Sequence, residues 1–177
     1  ALSAHAQPRT PDGAWTLLPG HSPQVMAQGE WIRPSRGQAL EGDVDRLRQI
    51  LWTAPLEFTP AGNANPLILQ LPDPEGKLQS FAVVESPIME PVLAAVYPDI
   101  KTFVGQGITD PHATLRADVT MHGFHAQVLS PSGAWYIDPY SRDDIKNYTS
   151  YYRRDLKHAQ PWACEFGEDS PAPAVLA

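Results

Sequence analysis

The chain is poor in cysteine. Cys164 is the single thiol among 177 residues, so no internal disulfide can form, and cysteine usage leaves the redox compartment open. Cationic runs are missing too. Thirteen basic against 20 acidic residues give a net charge of −7 with no basic cluster, which removes the electrostatic footprint of a phosphate-backbone binder and argues against nucleic acid as a partner. No stretch approaches the roughly 18 consecutive apolar residues of a membrane-spanning helix. No Gly-x-Ser-x-Gly elbow, phosphate loop or dinucleotide fingerprint occurs, and Gly105-Gln106-Gly107 is too short to count as the last of these. Six histidines invite a metal reading. His122 and His125, however, are three apart on a turn entering a strand, a spacing that sends them to opposite faces, whereas a zinc site needs three or four converging ligands. The equipment of most enzyme classes is therefore absent.

Proline, by contrast, is abundant: 19 residues, gathered in 7–36, 55–74 and 161–173. That distribution predicts one folded domain between extended termini, and the length suits a single core. Residues 1–40 read as a Pro-rich leader wrapped on the domain, with Trp15, Leu17, Leu18, Trp31 and Ile32 able to dock as short edge segments. Ala4-His5-Ala6 has the small-residue spacing that a signal peptidase reads, so residues 1–6 are a candidate signal-peptide remnant and point to secretion. Residues 41–156 form the expected folded domain, and 157–177 a Pro- and Ala-rich linker.

Within the domain, Asp43 caps a short amphipathic helix whose apolar positions are Val44, Leu47, Ile50 and Leu51. A second helix of one or two turns begins at Glu90-Pro91, stops before Pro98 and is expected to cover one face of the sheet. Strands are predicted over 67–71, 78–85, 101–107, 113–120, 124–130 and 135–138. The connections Asp73-Pro74-Glu75-Gly76, His122-Gly123 and Pro131-Ser132-Gly133 suit hairpins. Residues 147–153 can add a last strand or turn. The expected fold class is α+β: a single domain with a twisted antiparallel sheet of about six strands and two short helices, open rather than closed.

Two groups of residues are candidates for function. Asp138-Pro139-Tyr140-Ser141-Arg142-Asp143-Asp144 concentrates carboxylates, which general acid–base chemistry can use, although Asp-Pro and Ser-Arg-Asp-Asp also suit turns and a helix cap. Trp135, Tyr136, Tyr140, Tyr148, Tyr151 and Tyr152 are dense, and such rings anchor interfaces or stack on sugars. Strand alternation assigns about half of them to the core.

Four segments carry a further pattern. Val83-Val84-Glu85-Ser86-Pro87-Ile88-Met89-Glu90-Pro91, Lys101-Thr102-Phe103-Val104-Gly105-Gln106-Gly107-Ile108, His125-Ala126-Gln127-Val128-Leu129-Ser130 and Trp135-Tyr136-Ile137-Asp138-Pro139-Tyr140 occur in that order. Together they resemble the N-terminal pro-regions of bacterial secreted reprolysin-like zinc metalloproteases, over roughly residues 40–160. The resemblance implies a non-catalytic domain, secreted as part of a zymogen. It would assist folding and hold the protease latent until proteolysis in the tail removes it. Its partner would be its own metzincin catalytic domain, which carries His-Glu-x-x-His-x-x-Gly-x-x-His and the zinc. This chain ends before such a motif, and no cofactor is expected in it.

On that reading Tyr148, Tyr151 and Tyr152 are expected to contribute to the docking surface. Cys164 is a candidate cysteine switch, a thiolate occupying the open position of the protease zinc. The alternative for Cys164 is a buried structural thiol, since Trp162, Cys164 and Phe166 alternate with Ala163 and Glu165 as a half-buried strand would. Competing functions are a secreted carbohydrate- or protein-binding β-rich module with an aromatic surface, and a small hydrolase using 138–144.

Overall fold

The computed structural model describes residues 7–19, 32, 34–142 and 144–156. Nine strands follow the chain as β1 (Trp15–Leu17), β2 (Gln38–Gly42), β3 (Leu67–Pro72), β4 (Leu78–Glu85), β5 (Lys101–Gly107), β6 (Thr114–Thr120), β7 (Gly123–Leu129), β8 (Trp135–Pro139) and β9 (Asn147–Tyr152). Three short helices interrupt them: α1 (Val44–Leu51), α2 (Pro60–Ala64) and α3 (Pro91–Val96). All strands join one sheet in the order β1-β2-β9-β8-β7-β6-β5-β4-β3, with every neighbouring pair antiparallel.

The expected α+β domain with about six strands is therefore corrected to a mostly-β, nine-stranded sheet that curls towards a barrel. β2 escaped the pattern, while β1 was expected only as a docking edge segment and β9 only as a last strand or turn, each for a physical reason. β1 has only three residues, too few to show a period of two. β2 offers one large apolar side chain, Leu40, beside Gly42 in a proline-rich stretch. β9 is buried on both faces at Tyr148, Thr149, Ser150 and Tyr151, so its sequence does not alternate. The helix α2 was missed because Thr59 and Pro60, good cap and first-turn residues, precede only Ala-Gly-Asn-Ala, which has no apolar stripe.

Curling is visible in side-chain contacts. Phe81 on β4 and Trp135 on β8 have ring centroids 6.3 Å apart. Four strand spacings of about 4.8 Å would separate these strands by roughly 19 Å in a flat sheet. The Tyr152 hydroxyl of β9 donates to Glu75 Oε2 in the β3–β4 turn at 2.8 Å. Thus the two halves of the sheet meet at the end where β4 begins. At the other end α1 enters the same core. Asp43 accepts from the Arg46 amide at 2.9 Å to cap it, and Leu47 and Leu51 are fully buried alongside Leu69, Phe81 and Phe124.

An aromatic cluster joins β1, β7 and β9. Trp15 meets Phe124 and Tyr148 edge-on, at 5.6 and 5.2 Å between centroids. The Tyr148 hydroxyl reaches over β8 and accepts from the Phe124 amide at 3.2 Å. Gly123, with φ +103°, makes this approach possible, because a Cβ there would stand 2.5 Å from the hydroxyl. A Cβ at Gly42 would press into the Tyr148 and Trp15 rings at 2.7 and 2.8 Å.

Trp15, placed by sequence in a leader, is 0% exposed in this cluster. Trp15→Ala is expected to cost about 3–5 kcal/mol of folding free energy, as truncation of a buried aromatic does. Urea unfolding checks this; a loss below about 0.5 kcal/mol, typical of a surface change, would mean that β1 does not belong to the folded unit.

Candidate functional site

With Leu115, Ala117, Val119, Phe124, Ala126 and Val128 turned inward, the alternate residues of β6–β9 form the outer face. There Asp118 and His125 are directly opposed across β6 and β7, and His125 Nδ1 lies 2.9 Å from Asp118 Oδ1. Next to them Asp138 on β8 accepts from the Tyr151 hydroxyl of β9 at 2.8 Å. Tyr136 stacks on Tyr151, its register partner, at 5.6 Å and 25°, and its hydroxyl accepts from Gln127 Nε2 at 3.2 Å. Apart from Tyr151, these groups line, with Arg116, Thr102, Ser86 and Ile88, a cleft of about 280 Å³.

Burial alone would lower the pKa of His125, but the hydrogen bond and charge of Asp118, with the charge of Asp138, outweigh it and hold the imidazole above its usual value. Burial raises Asp138, more than the Tyr151 hydrogen bond and the charge of His125 lower it. Burial, then Asp138, pushes the Tyr151 phenol upward. A basic imidazole oriented by a carboxylate is half of a nucleophilic constellation. The hydroxyls of this cleft are otherwise employed: Ser86 Oγ donates to Glu57 Oε1 at 2.7 Å, and Thr102 Oγ1 donates to the Ser86 carbonyl. Asp144 stands in a different network. It accepts from the amides of Lys146 and Asn147 and from the Asn147 side chain, a turn role that holds its pKa low against the opposing effect of burial. The carboxylates of 138 and 144 are thus not brought together as a pair. His122 is exposed on the β6–β7 turn, and it is Asp118 that lies against His125 Nδ1.

Of the tyrosines expected at a docking surface, Tyr148 is in the core, and Tyr151 is covered on the outer face by its neighbours. Tyr148 is 2% and Tyr151 4% exposed, and burial raises the Tyr148 phenol to about 12. Tyr152 is half-buried, its ring under the Arg154 guanidinium at 3.9 Å and its hydroxyl on Glu75. Cys164 lies outside the described residues, as do Ala4-His5-Ala6 and the 157–177 tail. No helix among the described residues is long and apolar enough to cross a membrane.

Apolar surface is concentrated elsewhere. Antiparallel register puts the end of β4, the start of β5, the β6–β7 turn and the β8–β9 connection at one end of the sheet. Among the described residues, the exposed large hydrophobics at this end are Leu56, Phe58, Ile88, Val92, Leu93, Val96, Tyr97, Met121 and Ile145, against Ile108 and Leu129 at the other end and Ile68 on the edge strand β3. The helix α3 was expected to cover a sheet face. Instead it has no buried residue, because its apolar side chains surround a six-residue helix held off the sheet in the β4–β5 connection. Sequence reasoning missed this site, although Ile88, Val92, Leu93 and Val96 between prolines were its signal.

Compared with protein-family models, curated proteins and solved structures, the chain matches none of them.

The His125 pairing yields a titration test. A raised folded-state pKa means that the Asp118–His125 contribution to stability is fully present below the unfolded value of about 6.5. It is lost as pH rises through the folded value. Asp118→Asn removes the partner charge, so NMR titration should find the His125 pKa lower than in wild type, and the variant should lose stability mainly on the acid side. An unchanged His125 pKa would mean that Asp118 does not set it.

Proposed function

We propose that this chain is the non-catalytic pro-domain of a secreted zinc metalloprotease precursor, one that assists folding of the protease and keeps it latent until proteolytic removal. The observation that carries this reading is the apolar end. Exposed hydrophobic area of this kind, gathered on one side of a domain that has built its core elsewhere, is the mark of a protein-binding surface. The segments Val83–Pro91 and Lys101–Ile108, which resemble metalloprotease pro-regions, border the insertion that carries most of it. The aliphatic hydroxyls of the outer-face cleft, Ser86 and Thr102, are donated to Glu57 and to the Ser86 carbonyl, which supports a structural role for them.

A carbohydrate-binding module draws less support. Trp15, Trp135, Tyr148 and Tyr151 are buried, and the half-buried Tyr136 and Tyr152 are engaged with Gln127 and Glu75.

On this reading the reading frame continues past codon 177 into His-Glu-x-x-His-x-x-Gly-x-x-His, and the purified chain shows no peptidase activity and holds no stoichiometric zinc. Sequencing the downstream DNA and metal analysis of the chain check both. A frame that closes without that motif, or one tightly held zinc per chain, contradicts the proposal. In the same precursor Cys164→Ser distinguishes the two roles open to the thiol: activity before pro-region cleavage assigns it to the zinc, and unchanged latency to packing.

A further inference from the structure

Phe58 is an aromatic residue that the fold holds in an unfavourable conformation in order to expose it. Its φ is +58°, in the left-handed region that bulky residues avoid, and its side chain is 91% exposed. No packing of the ring compensates for that strain. The conformation is imposed from both sides. Glu57 donates its amide to the Glu85 carbonyl at 2.9 Å and accepts from Ser86 Oγ. Thr59 donates its hydroxyl to the Leu56 carbonyl at 2.6 Å while capping α2 through the Gly62 amide. Backbone strain that the surroundings over-determine belongs to sites where a ligand is met. An exposed aromatic ring carried on a fixed backbone suits the anchoring of a protein interface, where Phe is enriched.

The knuckle does not stand alone. Its hydrogen bonds to Glu85 and Ser86 fasten it to the base of the insertion that bears Ile88 and α3, with Val92 72% and Val96 65% exposed. The same two segments are acidic: Glu57, Glu85, Glu90 and Asp99 face one cation, Lys101, which is already paired with Glu85 at 2.7 Å.

We propose that Phe58 and the exposed side of α3 form one docking surface for a folded protein that offers an apolar hollow bordered by basic side chains. Resting on the reading above, that protein is the precursor's own protease domain. The negative border chooses among occupants. A second copy of this chain would bring acid against acid across a two-fold interface, and an anionic membrane would repel it. A basic rim around an apolar hollow is attracted at long range and gains the buried ring at contact.

The test is calorimetric binding of the mature secreted protease to the purified chain, as wild type, as Phe58→Asn and as Val92→Asp/Val96→Asp. Asparagine accepts positive φ, so Phe58→Asn should melt no lower than wild type while binding about 30-fold more weakly or worse, as removal of an anchor does. The α3 variant should lose binding similarly with its fold intact, since both positions face solvent. Rising salt should weaken the wild-type complex. Wild type that binds while both variants stay within about two-fold of it overturns the surface and leaves the pro-domain reading standing. Failure of the wild type to bind overturns both. A wild-type chain that is dimeric alone, and monomeric with either variant, would assign the surface to a second copy and overturn the proposal.

Discussion

Tyr148 ties together parts of the chain that a flat sheet would hold apart. Its ring is pressed edge-on against Trp15, and its hydroxyl accepts the Phe124 amide across the width of β8. The contact requires glycine at 123, where any Cβ would occupy the place of the hydroxyl, and at 42, where one would strike the ring. With these positions kept small, β1 and β2 fold over the interior, and the β3–β4 turn comes within reach of β9 through Tyr152 and Glu75. The resulting core is continuous from Trp15 to Leu71 and includes α1.

Filling the interior this way determines what remains outside. Polar residues of β6–β9 are left on the outer face, where Asp118 pairs with His125 and Asp138 with Tyr151. These pairs join neighbouring strands, as cross-strand pairs that stabilise a sheet should. The apolar residues of α3 and of the loop at Phe58 have no such place, because α1 and the inward faces of the strands already complete the core. They stand at the end of the sheet away from the β3–β4 turn. The surface left over from folding is thus apolar, with acidic residues in the same segments and Phe58 displayed on it.

Much of this was legible where the chain obeys a simple period. β6 and β7 alternate cleanly, β4 follows a clear turn signal, α1 shows its cap and stripe, and the Pro91 start of α3 is marked by its own residue type. The order of the central meander follows from hairpin-length connections. The closing strands were less legible, for opposite reasons: β1 and β2 are too short and too glycine- and proline-bordered to show a period, while β9, expected only as a last strand or turn, buries both faces. The tyrosines of β9 were expected at a docking surface because aromatic rings anchor interfaces, yet Phe124 and Asp138 bond two of their hydroxyls within the domain. Exposure of α3 was equally hidden, since an apolar hexamer reads the same whether it covers a sheet or waits for a partner. Likewise, no residue type at position 58 announces a positive φ. It arises from the anchoring of Glu57 and Thr59 on either side.

The central claim is that the chain works by presenting one end of its sheet to a protein partner. Amide hydrogen exchange, measured on the free chain and on the chain bound to the mature protease, reads that end directly. The account predicts slowed exchange concentrated in residues 55–64 and 87–98, with the β3–β4 turn at 73–77 unchanged. Protection confined to 73–77 and 130–134, with 55–64 and 87–98 exchanging as in the free chain, would contradict it.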